Sequence, residues 1–360
     1  MRIGIDASPL LLRSAGVKTW TWHWLEHLRK AAAGADVIES FPSVDRRARL
    51  VHEGSVLPPL ATWPRLALLY GMNYSGLLLD GFAGRFDVCH LSNQIRRRPS
   101  KARITATIHD MTCWLMPELH TEANVRADHE FSERVLRHAD GIIAVSENTC
   151  RDAIRLLDLA PEKIEVIYSG VADAFFEAKP HMRERRYVLF VGTIEPRKNL
   201  DTLLDAWARL KPSLREEFEL LVAGPPGWGV ERTMARLHSA QDGVRYLGYV
   251  SERDLPSLTA GATVFVYPSL YEGFGFPVAQ AMAARVPAIT SNLSSLPEIA
   301  APGAVLIDPR SVDELHRGLE LLLTSPSLRA KLARDGFTQA QKFRWETCAG
   351  RSLEFFHRLG

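Results

Sequence analysis

The 360-residue chain is predicted to be an α/β protein of two doubly wound domains. Three observations carry that reading. Short apolar runs ending in Gly, Ser or Asp recur from one end of the sequence to the other, each followed by a segment of helical periodicity, which is the alternation of parallel sheets covered by helices. At roughly 100 to 200 residues per domain, the length favours two domains over one. The 46% hydrophobic and 24% charged content suits a soluble globular chain and excludes a disordered or fibrous one.

Taken in order, the first half is expected to form strands at 2–6, 87–91, 102–108, 141–145 and 163–167. Helices at 19–30, 127–138 and 147–157 fall between them, the last with Ser146 as its N-cap. Between Phe176 and Arg186 the periodicity lapses into a polar segment containing Pro180. A domain boundary is therefore predicted there, giving an acceptor-side domain at 1–180 and a ligand-binding domain at 181–340. The second half repeats the rhythm with strands at 187–191, 218–223, 244–247, 263–267, 287–291 and 304–307. After Pro326 the pattern is helical, and a terminal helix near 345–359, within a segment 341–360, is expected to pack back toward the first domain. The two sheets are expected to face each other across a cleft, with ligands at the C-terminal ends of their strands.

Charge narrows the partners. Lys+Arg 44 against Asp+Glu 42 is too balanced for a general polyanion binder. Locally the balance breaks: residues 1–105 hold 15 basic and 8 acidic side chains, and residues 106–180 hold 7 and 14. The four cysteines, Cys89, Cys113, Cys150 and Cys348, have neither zinc-ligand nor disulfide-framework spacing, which fits a reducing compartment. An acid at Asp6 breaks the apolar stretch that a signal peptide needs. The most apolar window, 57–79, is interrupted by Pro58, Pro59, Pro64 and Arg65. A cytoplasmic protein is the expectation, touching a membrane only at its periphery.

Two strand-to-helix turns in the second half stand out. In Gly192-Thr193-Ile194-Glu195-Pro196-Arg197-Lys198-Asn199 a strand ends at Gly192 and a helix opens around Asn199, leaving two cations at the loop's end. A first helical turn prefers acids, so cations there point to a bound anion such as a diphosphate, although an exposed basic pair is the blander reading. The second turn, Glu272-Gly273-Phe274-Gly275-Phe276-Pro277, places two glycines where backbone amides could approach a ligand, with Pro277 at the start of the next helix. Spacing alone makes that weak, because tight turns use glycine for steric reasons too.

These segments, with Gly224-Pro225-Pro226-Gly227, Leu247-Gly248-Tyr249-Val250 and Ser295-Leu296-Pro297-Glu298-Ile299, resemble the retaining glycosyltransferases of family 4, also called group 1, whose two Rossmann-like domains form the GT-B fold. The first half is similar more loosely, through Ile5-Asp6, Gly16-Val17, Ile108-His109-Asp110, Ala144-Val145-Ser146 and Tyr168-Ser169-Gly170-Val171. The resemblance implies that Lys198, with Arg197, holds the donor's diphosphate. It places Glu272 against the donor sugar, the amides of Gly273, Phe274, Gly275 and Phe276 on sugar and phosphate, and Gly248, Tyr249 and Val250 beside the base. It sets His109 near the sugar, where a histidine read without the family is a buried strand-end residue bonded to a carbonyl. Gly16 and Gly192 match its ligand-side glycines. The sequence departs from the pattern in four places. Thr193 follows Gly192 where an arginine is common, and Gln280 stands at the second acid of the Glu-x7-Glu motif, where a glutamate would meet the ribose hydroxyls. Ala15 replaces a glycine, and Ser169 an asparagine.

The implied activity is transfer of a sugar, mannose first, from a nucleoside diphosphate sugar to a glycan or lipid-linked glycan, as in bacterial polysaccharide and lipopolysaccharide assembly. The phosphate loop Thr193-Ile194-Glu195-Pro196-Arg197-Lys198-Asn199 resembles that of mannosyltransferases in bacterial polysaccharide assembly, which suggests GDP-mannose. No cofactor is expected beyond the sugar nucleotide, and no metal, because the chain has no Asp-x-Asp. The alternatives are a weak sugar-nucleotide-binding partner subunit, prompted by Gln280, and a GT-B epimerase. Trp20 and Trp24 on one helical stripe, together with Arg96, Arg97 and Arg98, raise the expectation of contact with an anionic membrane; a core-packed helix beside a solvated loop is the competing reading. Nucleic acid is not expected, since the cluster lacks interleaved aromatics.

Overall fold

The computed structural model describes residues 1–12, 16–32, 34–44, 48–51, 54–181, 183–239 and 243–360; Ala15 lies outside them. The chain divides into two compact units, Met1–Gly170 with Trp345–Gly360, and Val171–Arg344. The division falls upstream of the polar segment around Pro180, and the returning segment opens at Trp345 rather than at 341. The reason is local. The Val171 amide donates to Phe343 O at 2.8 Å and Arg344 pairs with Asp173 at 2.8 Å, which fastens the chain to the second unit before the polar stretch begins.

The first unit is a six-stranded parallel sheet of β1 (Arg2–Asp6), β2 (Val37–Phe41), β3 (Val88–Leu91), β4 (Arg103–Ile108), β5 (Gly141–Ala144) and β6 (Ile164–Val166), ordered β2-β1-β3-β4-β5-β6. β1, β3, β4 and β5 are buried on both faces apart from Arg2 and Arg103, which open β1 and β4, as helix-covered parallel strands must be. β2 was not expected. It is an edge strand, Val-Ile-Glu-Ser-Phe, and none of its residues is fully buried, so no continuous apolar run announces it. The Glu147–Leu157 helix begins where expected, with Ser146 Oγ accepting from the Thr149 amide at 3.0 Å. The helix expected at 127–138 starts earlier, at Glu122, where Thr121 caps it, and ends at Arg134.

The tryptophan stripe belongs to the core. On the Gly16–Ala31 helix, Trp20, Trp24 and Leu28 are buried against the Trp345–Leu359 helix and the sheet. The Trp24 indole donates to Ser352 Oγ at 3.0 Å, and that of Trp20 to Ser169 Oγ at 3.1 Å. Both indole N–H groups are satisfied inside the unit, so Trp20 and Trp24 do not face lipid, and the competing core-packing reading holds for them.

The second unit contains β7 (Arg186–Val191), β8 (Phe218–Ala223), β9 (Val244–Gly248), β10 (Val264–Tyr267), β11 (Ala288–Ser291) and β12 (Ala304–Ile307), all parallel and ordered β12-β11-β10-β7-β8-β9. This is the doubly wound dinucleotide-fold order, with its reversal between β7 and β10; in the first unit the reversal lies between β1 and β3. Both turns singled out in the sequence leave the carboxyl ends of the two strands that flank the second unit's reversal. The loop after β8 closes onto them. Gly224 has φ of +143°, and a Cβ there would lie 1.9 Å from Gly192 O, so only glycine lets the two loops approach.

Phe356, fully buried, sits edge-on to Trp24 with ring centroids 6.1 Å apart and 5.7 Å from His90. Phe356→Ala is expected to destabilise the first unit by about 3 to 5 kcal/mol. Denaturant melts resolving that unit should show the loss, and a cost near zero would mean that the terminal helix is not part of this core.

Candidate functional site

The loop after β7 runs through Glu195 and a single 3-10 turn, Pro196–Lys198, before Asn199 in the left-handed region (φ 57°) caps the Leu200–Ala208 helix. The two cations therefore precede the helix rather than occupy its first turn, which removes the dipole argument made for them from sequence. Asn199 is fixed by its own amide, which donates to Pro268 O at 3.2 Å and Pro309 O at 2.6 Å.

What holds the cations is a pair of buried carboxylates. Lys198 Nζ lies 2.5 Å from Glu272 Oε1 and 3.8 Å from Glu195 Oε1. Arg197 reaches Glu195 Oε1 at 2.7 Å and Glu272 Oε2 at 3.1 Å, and donates to Tyr271 O at 2.7 Å. Glu272 Oε1 also accepts from the Tyr267 hydroxyl at 2.9 Å and from Ser269 Oγ at 2.7 Å. Two cations and two carboxylates thus make a nearly dry, charge-balanced quartet that joins the β7 loop to the β10 loop. Burial alone would raise the Glu272 carboxyl, but the charges of Arg197 and Lys198, with the bonds from Lys198 and Ser269, outweigh it and hold the group at about 2. Burial, then the neighbouring Arg197 charge, lowers Lys198 from its ordinary value.

The β10 loop is braced from a third side. The Glu272 amide donates to Ser294 Oγ at 3.0 Å, and Ser295 Oγ donates to Glu272 O at 2.9 Å and Phe274 O at 3.1 Å. Gly275 adopts φ of +97°, with Leu296 packed where a Cβ would be, and caps the Phe276–Ala283 helix, which opens one residue before Pro277. Gln280 is half-buried on that helix, its side-chain amide unbonded to any described residue. Gly248 ends β9 at φ 67°, and its carbonyl accepts from the Gly224 amide at 2.7 Å; Tyr249 beyond it is half exposed. Gly192, Thr193, Gly248 and Gly273–Phe276 are thus drawn to one end of one sheet.

Gly16 and His109 belong to the first unit and are placed separately. Gly16 is the first residue of the Gly16–Ala31 helix. His109 follows β4 and lies edge-on to Trp20 at 4.8 Å, on the wall of a cavity of about 520 Å³ that Asp110, Asp128 and Arg96 also line. Desolvation lowers His109 to about 4, and burial with the nearby Asp110 charge pushes Asp128 up to about 7. A second buried histidine, His90 of β3, is held between Thr105 Oγ1 at 3.0 Å and Thr107 Oγ1 at 3.1 Å.

The chain matches the Glycosyltransferase Family 4 domain over residues 14–175 and the group 1 glycosyl transferases over residues 171–339. It is a family 4, group 1 glycosyltransferase. The O-antigen chain mannosyltransferase B of Escherichia coli is 29% identical over 340 residues, 91% of this chain and 89% of the relative. Among solved structures, sucrose-phosphate synthase from Thermosynechococcus elongatus superposes with a TM-score of 0.76 at 18% identity, covering 100% of this chain and 99% of that one. HepE from Anabaena in complex with UDP-glucose superposes with a TM-score of 0.74 at 18% identity, covering 99% and 100%. These structures carry the GT-B fold assignment.

Sequence reading missed Glu195, Tyr267, Ser269 and Ser294 as parts of this glycosyltransferase's buried quartet and its bracing. Glu195 stood in plain view two residues before Arg197, yet nothing in one sequence shows that a glutamate is buried. Removing one partner of a buried pair strands the other, so Glu272→Gln should cost about 3 to 5 kcal/mol. The pH dependence follows from the sign of the shift. A carboxyl held below its ordinary value stabilises the fold above that value and loses its contribution as pH falls toward 2. The stability gap between parent and Glu272→Gln should therefore narrow between pH of about 5 and 3 in chemical melts; a gap constant across that window would contradict the assigned ionisation.

Proposed function

We propose that this glycosyltransferase moves a hexose, mannose first and from GDP-mannose, to a glycan or lipid-linked glycan acceptor with retention of anomeric configuration. The observation that carries the proposal is the buried Arg197, Lys198, Glu195 and Glu272 quartet at the reversal of a dinucleotide-type sheet. The mannosyltransferase named above, matching along nearly the whole chain, supports mannose as the sugar.

In this reading Arg197 and Lys198 are preorganised cations. Charge builds on the leaving diphosphate as the bond from anomeric carbon to phosphate oxygen breaks, and donors already in place stabilise it without reorganising. The quartet is balanced when empty, so the extra pull on a dianion comes from backbone amides and from the Phe276–Ala283 helix, whose first turn carries no acid. Glu272 is a poor covalent nucleophile, because both its oxygens are committed to Lys198, Tyr267, Ser269 and Arg197. Attack by the acceptor hydroxyl on the face the diphosphate leaves, with the departing phosphate oxygen taking the hydroxyl proton, preserves configuration and needs no protein nucleophile. Neutral His109 and the cavity it lines would serve the sugar and acceptor, and no resident metal or cofactor is assigned a step.

Arg197→Ala and Lys198→Ala should each cost about 1.5 to 3 kcal/mol of transition-state stabilisation, roughly ten- to hundred-fold, chiefly in kcat. The assay is mannosyl transfer by variants that still melt cooperatively. Full activity in both variants would remove the pair from the reaction. Transfer should survive EDTA, whereas loss with rescue by Mg²⁺ or Mn²⁺ would overturn the metal-free reading. Gln280 supports a second, more modest reading, a weak binder, since an amide meets ribose hydroxyls without charge. Calorimetry with GDP and UDP should show Gln280→Glu retaining or tightening binding and Gln280→Ala weakening it by about 0.5 to 1.5 kcal/mol. Unchanged affinity in Gln280→Ala would retire the ribose contact. Absence of both transfer and donor hydrolysis in the parent would favour the binder.

A further inference from the structure

The window that the sequence showed as a proline-broken apolar run folds into two consecutive helices of the first unit, Pro59–Tyr74 and Gly76–Ala83. The first buries Thr62, Leu69 and Met72 on its inner side. Its outer side is apolar too. Leu60 (93% exposed), Trp63 (71%), Tyr70 (64%) and Tyr74 (70%) recur at helical spacing along one stripe, and Leu77 (86%) extends it onto the next helix. A helix with apolar residues on both faces and one of them in solvent is out of place on a freely soluble surface.

The charges beside the stripe are mainly basic. Pro59–Tyr74 carries a single ionisable cation, Arg65, and no acid. The loop bearing Arg97, Arg98 and Lys101 is tied to the helix end: Asn73 accepts from the Arg96 amide at 2.7 Å and donates to Gln94 O at 2.9 Å, and Arg97 donates to Tyr74 O at 3.4 Å. Asp80, the acid of the neighbouring helix, is occupied by the amide and hydroxyl of Ser100 at 2.6 and 2.7 Å. Among the described residues no carboxylate lies within ion-pairing distance of Arg97, Arg98 or Lys101.

We propose that this face, the Trp63, Tyr70 and Tyr74 stripe with Leu60 and Leu77, docks on an anionic lipid surface, its aromatic rings at headgroup depth and Arg97, Arg98 and Lys101 against the lipid phosphates. Tryptophan and tyrosine are the side chains whose amphipathic rings favour that depth, and adjacent cations add attraction to anionic headgroups. A second copy of this chain is the poorer occupant. Two-fold packing would set the same cations of both copies against each other. No described helix is long and apolar enough to cross a membrane, so the contact is peripheral. The inference stands on this surface alone and does not depend on which sugar is transferred.

The test is co-sedimentation with vesicles of phosphatidylglycerol and phosphatidylcholine, compared with phosphatidylcholine alone, across a salt series. The parent should bind the mixed vesicles and release as salt rises. A cation near an anionic surface is worth roughly a five-fold change in partition, so the triple change Arg97→Ala, Arg98→Ala, Lys101→Ala should weaken binding about a hundred-fold. The variant Trp63→Ser, Tyr70→Ser, Tyr74→Ser should lose binding even at low salt, with its melting temperature unchanged because all three side chains are exposed. Brominated lipid should quench tryptophan emission in the parent more than in Trp63→Phe. Absence of binding to mixed vesicles by the parent, or parent-like binding by the aromatic variant, overturns the proposal. Self-association abolished by the aromatic variant, with no vesicle binding, overturns it in favour of a second copy.

Discussion

Glu272 holds the second unit's ligand-side loops together. A carboxylate taken out of water costs several kcal/mol unless partners replace its hydration, and here they come from three separate segments. Lys198 and Arg197 arrive from the β7 loop, Tyr267 and Ser269 from the end of β10, and Ser294 grips its backbone from beyond β11. Because each partner is needed to satisfy the charge, none of the three segments can relax alone. A pair of exposed cations would have been free to wander, whereas a buried quartet fixes the positions of both guanidinium and ammonium before any ligand arrives.

The backbone around the quartet is unusual as well. Around the buried quartet Asn199 after β7, Gly275 after β10 and Ser294 after β11 adopt left-handed backbone. Asn199 is held there by a side chain that bonds two carbonyls at once, and Gly275 adopts it freely because it has no Cβ, whose place Leu296 occupies. Asn199 and Gly275 thus stand on the two loops that flank the reversal of the sheet order, which is where a doubly wound sheet leaves a crevice that neighbouring helices do not cover.

The central strands were legible because burial on both faces writes continuous apolar runs; β8, buried throughout, lies where its run was read, at 218–223. β2 escaped because an edge strand with Glu39 and Ser40 in its middle leaves no run. The Pro59–Tyr74 helix escaped for the opposite reason. It is apolar on its outer as well as its inner side, so no amphipathic period marks it, and its prolines read as breaks. For the site, family resemblance supplied Lys198 and Glu272, but the reason those two belong together, a 2.5 Å ion pair between residues 74 positions apart, is a tertiary fact. The tryptophan stripe shows the same limit from the other side, since spacing tells that Trp20 and Trp24 share a face but not whether protein or lipid covers it.

The histidines make the last distinction one that only three dimensions can draw. His90 and His109 sit at or just past the ends of adjacent strands, and desolvation lowers both, to about 3 and about 4, so both rings are neutral at physiological pH. Charge therefore does not separate them; partners do. Two threonine hydroxyls engage both nitrogens of His90, leaving nothing to offer a ligand. His109 makes no such bonds to described residues and borders a cavity with carboxyl groups on its wall. A neutral imidazole with one donor and one acceptor suits sugar hydroxyls, which both give and take hydrogen bonds, better than an imidazolium that could only donate. The sequence offered His109 as either a core histidine or a sugar contact; its place on the cavity wall is the observation on which the proposal of a sugar contact rests.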